Sequence, residues 1–390
     1  MAKSERHALI LASARRAAEI AAEHAPAVDR DARFPYEAIA VLRQERLLGA
    51  AVPDDLGGYG CGIDELALVC ETLGRACTAT AMVYAMHQIQ VACILRHCGS
   101  SAYFRDYLRE VAERQLLIAS ATSEVGIGGD LRSSLCGVES SGGQFKLDKK
   151  AATISYGQHA DDILVTARRS AEAPRADQVL VLVRRDKTTL EQSGTWDTLG
   201  MRGTCSPGFR LIASGHDAQI LPEPFADVAP RTMVPYSHVL WAACWLGLAS
   251  DAVSRARMFV RTAARQQPGV TPPGALRLAE ALGRLQSMRS GVQHAVSRAS
   301  SLFSIGEAGY DELSSASFTL ELNNLKTTAS EQLTQVVTQT LGICGMAGYK
   351  NDSKFALGRH LRDGHSAALM ISNDRIYATN ASLLLVLKDD

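Results

Sequence analysis

Three short glycine-bearing segments and one histidine are the places where this sequence could do chemistry. The first segment is Ser120-Ala121-Thr122-Ser123-Glu124-Val125-Gly126-Ile127-Gly128-Gly129-Asp130. Glycines among small hydroxyl residues can aim backbone N–H groups at an anion or a ring edge. A plain turn leading into a sheet would read the same way. The second segment is Trp196-Asp197-Thr198-Leu199-Gly200-Met201-Arg202-Gly203-Thr204-Cys205-Ser206. The third is Cys344-Gly345-Met346-Ala347-Gly348-Tyr349, followed by Arg359-His360-Leu361-Arg362-Asp363. His87 stands alone on an apolar helical stretch, Ala81-Met82-Val83-Tyr84-Ala85-Met86-His87. Such a residue is either a proton carrier or a hydrogen-bonded core histidine.

The common catalytic loops are missing. No GxGxxG follows a strand, and there is no GxxxxGK[ST], HExxH or GxSxG. The nine cysteines are scattered without a CxxC, which argues against structural zinc and against a disulfide framework. Metal catalysis has no support. Basic and acidic residues balance at 41 each, so no global field draws the chain to nucleic acid or an anionic membrane.

Elements must position these segments, and their order is legible. A length of 390 residues implies two or three packed units. Ile39, Leu42, Leu47 and Leu48 follow Phe34-Pro35 at helical spacing. Residues 53–60 read as a loop, and 64–77, 79–98 and 103–113 as helices. From Leu117 to about Val228 the pattern shortens, and 144–147, 162–167 and 178–183 read as strands. Helical patterning returns at 240–263, 275–303 and 318–341, with breaks at 267–274 and 342–348 and a final helical tail. The order predicts an α+β chain with domains at 1–117, 118–230 and 231–390. The N-terminal stretch is interrupted by Arg15, Arg16 and Glu19 and reads as an amphipathic helix rather than a signal peptide. Residues 239–250 are too short an apolar run for a membrane span. The expectation is a soluble, cytoplasmic protein.

Taken together, these segments resemble the acyl-CoA dehydrogenase family over nearly the whole chain. Pro53 to Gly60 looks like the family's PxxxGGxG loop, and Ser123 to Asp130 like its TEPxAGSD turn. Trp196 to Ser206 is similar to its G[MW]RxTxS segment, Gly345 to Tyr349 to its GGxGY loop, and Arg362-Asp363 to the RD that follows. The resemblance implies an N-terminal helical domain, a middle β domain and a C-terminal four-helix bundle. It also implies FAD, lying between the β domain and the C-terminal helices, with its adenine end reaching a neighbouring subunit of a homodimer or homotetramer. Carried over by position, Thr122 and Ser123 would approach the pyrimidine side of the flavin, within the turn that holds Gly129. Ile154 and Ser155 would flank its N5 edge, and Thr153 stands where the family has an aromatic residue. Gly345, Met346 and Gly348 would let the backbone approach the pyrophosphate of a partner's FAD. Arg261 or Arg265 could pair with that phosphate, although the RxxFG signature is missing.

One requirement of the family is unmet. Its chemistry needs a carboxylate to remove an α-proton while hydride leaves the β-carbon for flavin N5. The usual glutamate follows the RD pair, and counting from Arg362-Asp363 that position is Ile371. A second location opens the C-terminal domain, where Ser237-His238 stand. Asp374 could serve after a shift of three residues, His365 or His238 could act as an imidazole base, and His87 lies on a helix that borders the family's substrate cavity. Alternatively no carbon-bound α-proton is taken. Residues 221–225, 234–241 and 366–376 resemble a bacterial subgroup from polyketide and peptide natural-product clusters. That likeness implies oxidation of a hydroxymalonyl- or aminomalonyl-type precursor, an acyl thioester on an acyl carrier protein or CoA. The electron acceptor would be an electron-transfer flavoprotein or O2. A flavin-dependent monooxygenase on the same scaffold and a non-catalytic partner subunit stay open.

Overall fold

The computed structural model describes residues 3–385 and 387. Helices α1 (Lys3–Arg30), α2 (Tyr36–Gln44), α3 (Ile63–Ala76), α4 (Thr78–His97) and α5 (Ala102–Arg114) come first. Helix α4 is apolar around its whole circumference, as a helix surrounded by protein must be. By length and composition it could cross a membrane, a point the sequence analysis did not raise, and it is buried within the protein.

Among the described residues seven strands follow: β1 (Ile118–Ala121), β2 (Glu139–Ser141), β3 (Gln144–Ala151), β4 (Asp162–Arg168), β5 (Gln178–Arg184), β6 (Thr188–Gln192) and β7 (Phe209–His216). They form two sheets, ordered β1-β4-β5 and β2-β3-β7-β6. β1 runs parallel to β4, and the other pairings are antiparallel. β4 and β5 are buried runs, whereas β3 alternates inward and outward. The expected strand at 144–147 extends through Asp148-Lys149-Lys150, because Lys149 faces inward. Its Nζ donates to the Thr166 carbonyl at 2.6 Å and lies 3.4 Å from the Glu124 carboxylate.

The helices then resume as α6 (Phe225–Val228), α7 (Val234–Gln266), α8 (Gly274–Ser304), α9 (Tyr310–Leu313), α10 (Ala316–Cys344), α11 (Met346–Tyr349), α12 (Gly358–Leu369) and α13 (Asn373–Leu384). Helices α7, α8, α10 and α12 pack as a bundle. Helix α7 also carries the N-terminal helices, because α3 crosses it at backbone contact. A Cβ on Gly74 would lie 2.3 Å from the Cys244 carbonyl oxygen, and one on Gly247 would lie 2.3 Å from that of Glu71. Glycine costs about 1 kcal/mol relative to alanine inside a helix. Here it lets two backbones touch, which fixes the N-terminal helices on the bundle.

Candidate active site

The β domain offers a rim of uncharged hydroxyl groups. The turn after β1 is tied to the segment after β3 by Ser123, whose Oγ donates to the Thr153 carbonyl at 2.7 Å and accepts from the Thr153 N–H at 3.1 Å. Glu124 turns inward and accepts from the N–H groups of Leu135 and Cys136 and from the Ser134 hydroxyl. Ile154 is buried, and its N–H donates to the Pro207 carbonyl. Ser155 accepts from Ser206 Oγ at 2.9 Å, Ser206 pairs with Thr204 at 2.8 Å, and Thr204 donates to the Met201 carbonyl. The Thr122 carbonyl accepts from the Thr166 hydroxyl at 3.4 Å.

The C-terminal helices meet this domain at two places. The Met201 N–H donates to Asp363 Oδ1 at 2.7 Å, and burial pushes the Asp363 carboxyl up to about 6. Its neighbour Arg362 is paired with Asp29 of α1. The arginine–aspartate pair is therefore an anchor between domains. At the second place, Gly126, Gly128 and Gly129 all take left-handed φ, and a Cβ on Gly129 would lie 2.1 Å from Arg375 Nη1. The Arg375 guanidinium of α13 thus rests on the glycine turn.

Between α12 and α13 stands Ile371, 45% exposed, at φ +48°. A β-branched residue in that region is strained and persists only if its surroundings hold it. What holds it is Lys326 of α10, fully buried, whose Nζ donates to the Ile371 carbonyl and to Asn373 Oδ1, both at 2.7 Å. Asn373 in turn donates to Ser330, one turn along α10. Desolvation lowers the Lys326 ammonium to about 8. Sequence reasoning missed this lysine. Its signal was a charge on the apolar face marked by Leu322, Ala329 and Leu333.

The histidines divide sharply. His87 is corrected to a core residue: its Nε2–H donates to the Leu48 carbonyl at 2.8 Å, and its Nδ1 accepts from the Ile118 N–H at 3.0 Å. Both nitrogens are committed to backbone groups, which leaves no free ring nitrogen to take up a proton, and burial pushes the ring down to about 4. His365 on α12 and Asp374 on α13 are exposed. Ser237 and His238 occupy the first turn of α7. The Ser237 hydroxyl donates to the Met233 carbonyl at 2.6 Å. His238 is buried beside Trp241, with ring centres 6.1 Å apart.

The remaining expected residues lie at the far end of the bundle. Gly345 takes φ +53° beyond the last turn of α10, about 28 Å along that helix from Lys326 at about 1.5 Å per residue. Met346 is 67% exposed, and Gly348 is buried against Cys344. Arg261 and Arg265 are exposed on the last turns of α7. The structure therefore sets these residues apart from Lys326 rather than beside it.

Residues 4–115 match the acyl-CoA dehydrogenase N-terminal domain, and residues 230–370 match the acyl-CoA dehydrogenase C-terminal domain. The chain belongs to the acyl-CoA dehydrogenase family. It is similar to mitochondrial isovaleryl-CoA dehydrogenase of Oryza sativa subsp. japonica, 26% identical over 352 residues, covering 89% of this chain and 83% of that one. It is also similar to cyclohex-1-ene-1-carbonyl-CoA dehydrogenase of Geobacter metallireducens, 29% identical over 178 residues, 45% of this chain and 47% of that one. Two solved structures share the fold. FMN-bound TdsC from Paenibacillus sp. A11-2, a dibenzothiophene monooxygenase, has a TM-score of 0.83 at 18% identity, covering 96% of this chain and 97% of that chain. KijD3 in complex with dTDP has a TM-score of 0.84 at 20% identity, covering 98% of this chain and 97% of that chain.

As a member of this family the chain is an FAD-dependent, dehydrogenase-like oxidoreductase of the acyl-CoA-oxidising type. The residues present fit the cofactor. The half-buried hydroxyl residues Thr122, Ser123 and Ser155, the last held by buried Ser206, form a neutral rim of groups that can donate or accept, as the polar edge of a flavin requires. The left-handed glycine turn beside it adds backbone N–H groups with no side chain of their own in the way, and the Arg375 guanidinium packed on it adds a donor for an anionic group.

Proposed function

We propose that this protein oxidises a small acyl thioester at a carbon that bears a hydroxyl or amino group. The thioester would be held on an acyl carrier protein or CoA, in the formation of hydroxymalonyl- or aminomalonyl-type units. The observation that carries the reading is what stands at the two base positions. Ile371 presents an aliphatic side chain, and the Ser237 hydroxyl is committed to a backbone carbonyl. A carbon-bound α-proton needs a positioned carboxylate. A proton on oxygen or nitrogen, beside a developing double bond, leaves to a far weaker base. Bound FAD supplies the hydride acceptor. The chain's own residues supply the frame: the Ser123–Thr153 bonds fix the rim, and Lys326 fixes the Ile371 turn.

Assembly as a homodimer or homotetramer belongs to this reading. Met346, Tyr349, Leu369 and Leu385 are all more than 65% exposed, as apolar groups at a subunit contact would be in the lone chain. Electrons would pass to an electron-transfer flavoprotein or to O2. A flavin-dependent monooxygenase is the second reading, favoured by the same absence of carboxylates, since oxygenation takes no α-proton from a thioester.

The test is anaerobic mixing of the FAD-loaded protein with glyceryl- or seryl-carrier protein. The expected result is loss of the yellow flavin absorbance with formation of an aldehyde, and no change with isovaleryl-CoA. No bleaching with either carrier substrate, alongside substrate-dependent O2 consumption when an external reductase is added, would replace this reading with the monooxygenase.

A further inference from the structure

Two buried polar atoms near the start of α7 have no hydrogen-bond partner among the described residues: His238 Nε2 and Trp241 Nε1. His238 is 3% exposed and Trp241 6%. Three residues apart on one helix, they share a face, and their rings lie 6.1 Å apart, inclined at 28°. The other His238 nitrogen is already used, because Nδ1–H donates to the Val234 carbonyl at 2.9 Å. That bond sets the tautomer and leaves Nε2 a bare acceptor, whereas the Trp241 indole N–H can only donate. A buried polar group left unpaired costs about 1–3 kcal/mol, and it calls for an explanation. Here an acceptor and a donor are left unpaired side by side. They stand one residue and four residues after Ser237.

We infer that His238 and Trp241 together recognise one hydroxyl or primary amine on the substrate carbon that is oxidised. Trp241 donates to the lone pair of the heteroatom, and the heteroatom donates its own hydrogen to His238. A methyl or methylene group satisfies neither atom. An ether or a carboxylate satisfies Trp241 and leaves His238 unpaired. Only a group with both a lone pair and a hydrogen closes the pair.

This assignment rests on the proposed reaction and names the group that reaction acts on. In the redox step the carbon–hydrogen bond would break and its electron pair leave with hydrogen as hydride, for which bound FAD would be the acceptor. The O–H or N–H proton passes to His238 Nε2, and the freed electron pair forms the C=O or C=N bond.

The test measures binding and turnover separately on the holoenzyme. The dissociation constants of 3-hydroxypropionyl-CoA and propionyl-CoA are read from perturbation of the flavin spectrum, for wild type, Trp241→Phe and His238→Gln. Wild type is expected to prefer the hydroxylated ligand by tenfold or more, about 1.4 kcal/mol. Trp241→Phe should erase most of that preference while changing propionyl-CoA affinity little. A wild type without preference overturns the inference, and so do variants that weaken both ligands equally. If Trp241→Phe does not fold, His238→Gln carries the same comparison. A preference that collapses in the variants upholds recognition even if the hydroxylated thioester is never oxidised, in which case the proposed reaction fails alone.

Discussion

On the proposed reading, substitution of Ile371 by glutamate should supply the positioned base for removing an α-proton. The position is 45% exposed, so an ionised carboxylate there keeps much of its water. Glutamate is unbranched at Cβ and takes φ +48° at no greater cost than isoleucine. The Lys326 ammonium, bonded to the carbonyl of the same residue, favours the charged form of a nearby carboxylate. A positioned general base is worth about 10²- to 10⁴-fold, or about 3–5 kcal/mol of barrier. Rapid mixing with a plain acyl-CoA under anaerobic conditions should therefore bleach the flavin at least about 100-fold faster in Ile371→Glu than in wild type. Two results would refute the reasoning. One is a folded, FAD-containing variant no faster than wild type. The other is a wild type that already bleaches with plain acyl-CoA at the rate of the variant.

Three other outcomes follow from the same contacts. His87→Leu leaves the Ile118 N–H buried without its partner, while the Leu48 carbonyl keeps only the Gln88 side-chain amide, and denaturant unfolding should show a loss of about 1–3 kcal/mol. His87 and His238 are both pushed down to about 4 by burial, while an unfolded histidine titrates near 6.5. The unfolded chain then holds more protons between those values, so stability is complete above about pH 6.5 and falls toward pH 4, by about 3 kcal/mol for each ring. Unfolding midpoints at about pH 7 and about pH 5 measure that loss, which His87→Leu should reduce. Lys326 follows the same sign on the alkaline side: it is lowered to about 8 and regains the ordinary lysine range on unfolding, so wild type should gain stability over Lys326→Met as pH rises above 8.

Much of the fold was legible because periodicity and glycine breaks are local. The three long C-terminal helices are marked by apolar repeats and bounded by breaks at 267–274 and 342–348. Strand β3 was read short because Asp148-Lys149-Lys150 looks polar, and only the tertiary partners Thr166 and Glu124 make an inward lysine tolerable. β7 pairs with β3 across more than fifty residues, and no local signal carries that pairing. The candidate site followed the same rule. The glycine turn and the hydroxyl residues could be named from their types. Lys326, Arg375 and Trp241 could not, because what singles them out is a carbonyl, a glycine and an unpaired nitrogen supplied by distant or folded neighbours. His87 misled for the converse reason, since a histidine bonded only to backbone looks the same in sequence as one with work to do.

The central claim is that the proton comes from a heteroatom and not from the α-carbon. Deuterium placement in the acyl group of glyceryl-carrier protein tests it most directly, read as the rate of anaerobic flavin bleaching. The account predicts slowing when deuterium is on the terminal carbon that bears the hydroxyl, and no slowing when it is on the carbon next to the thioester carbonyl. Slowing by the label next to the carbonyl would contradict it, because the bond broken would then lie at the α-carbon.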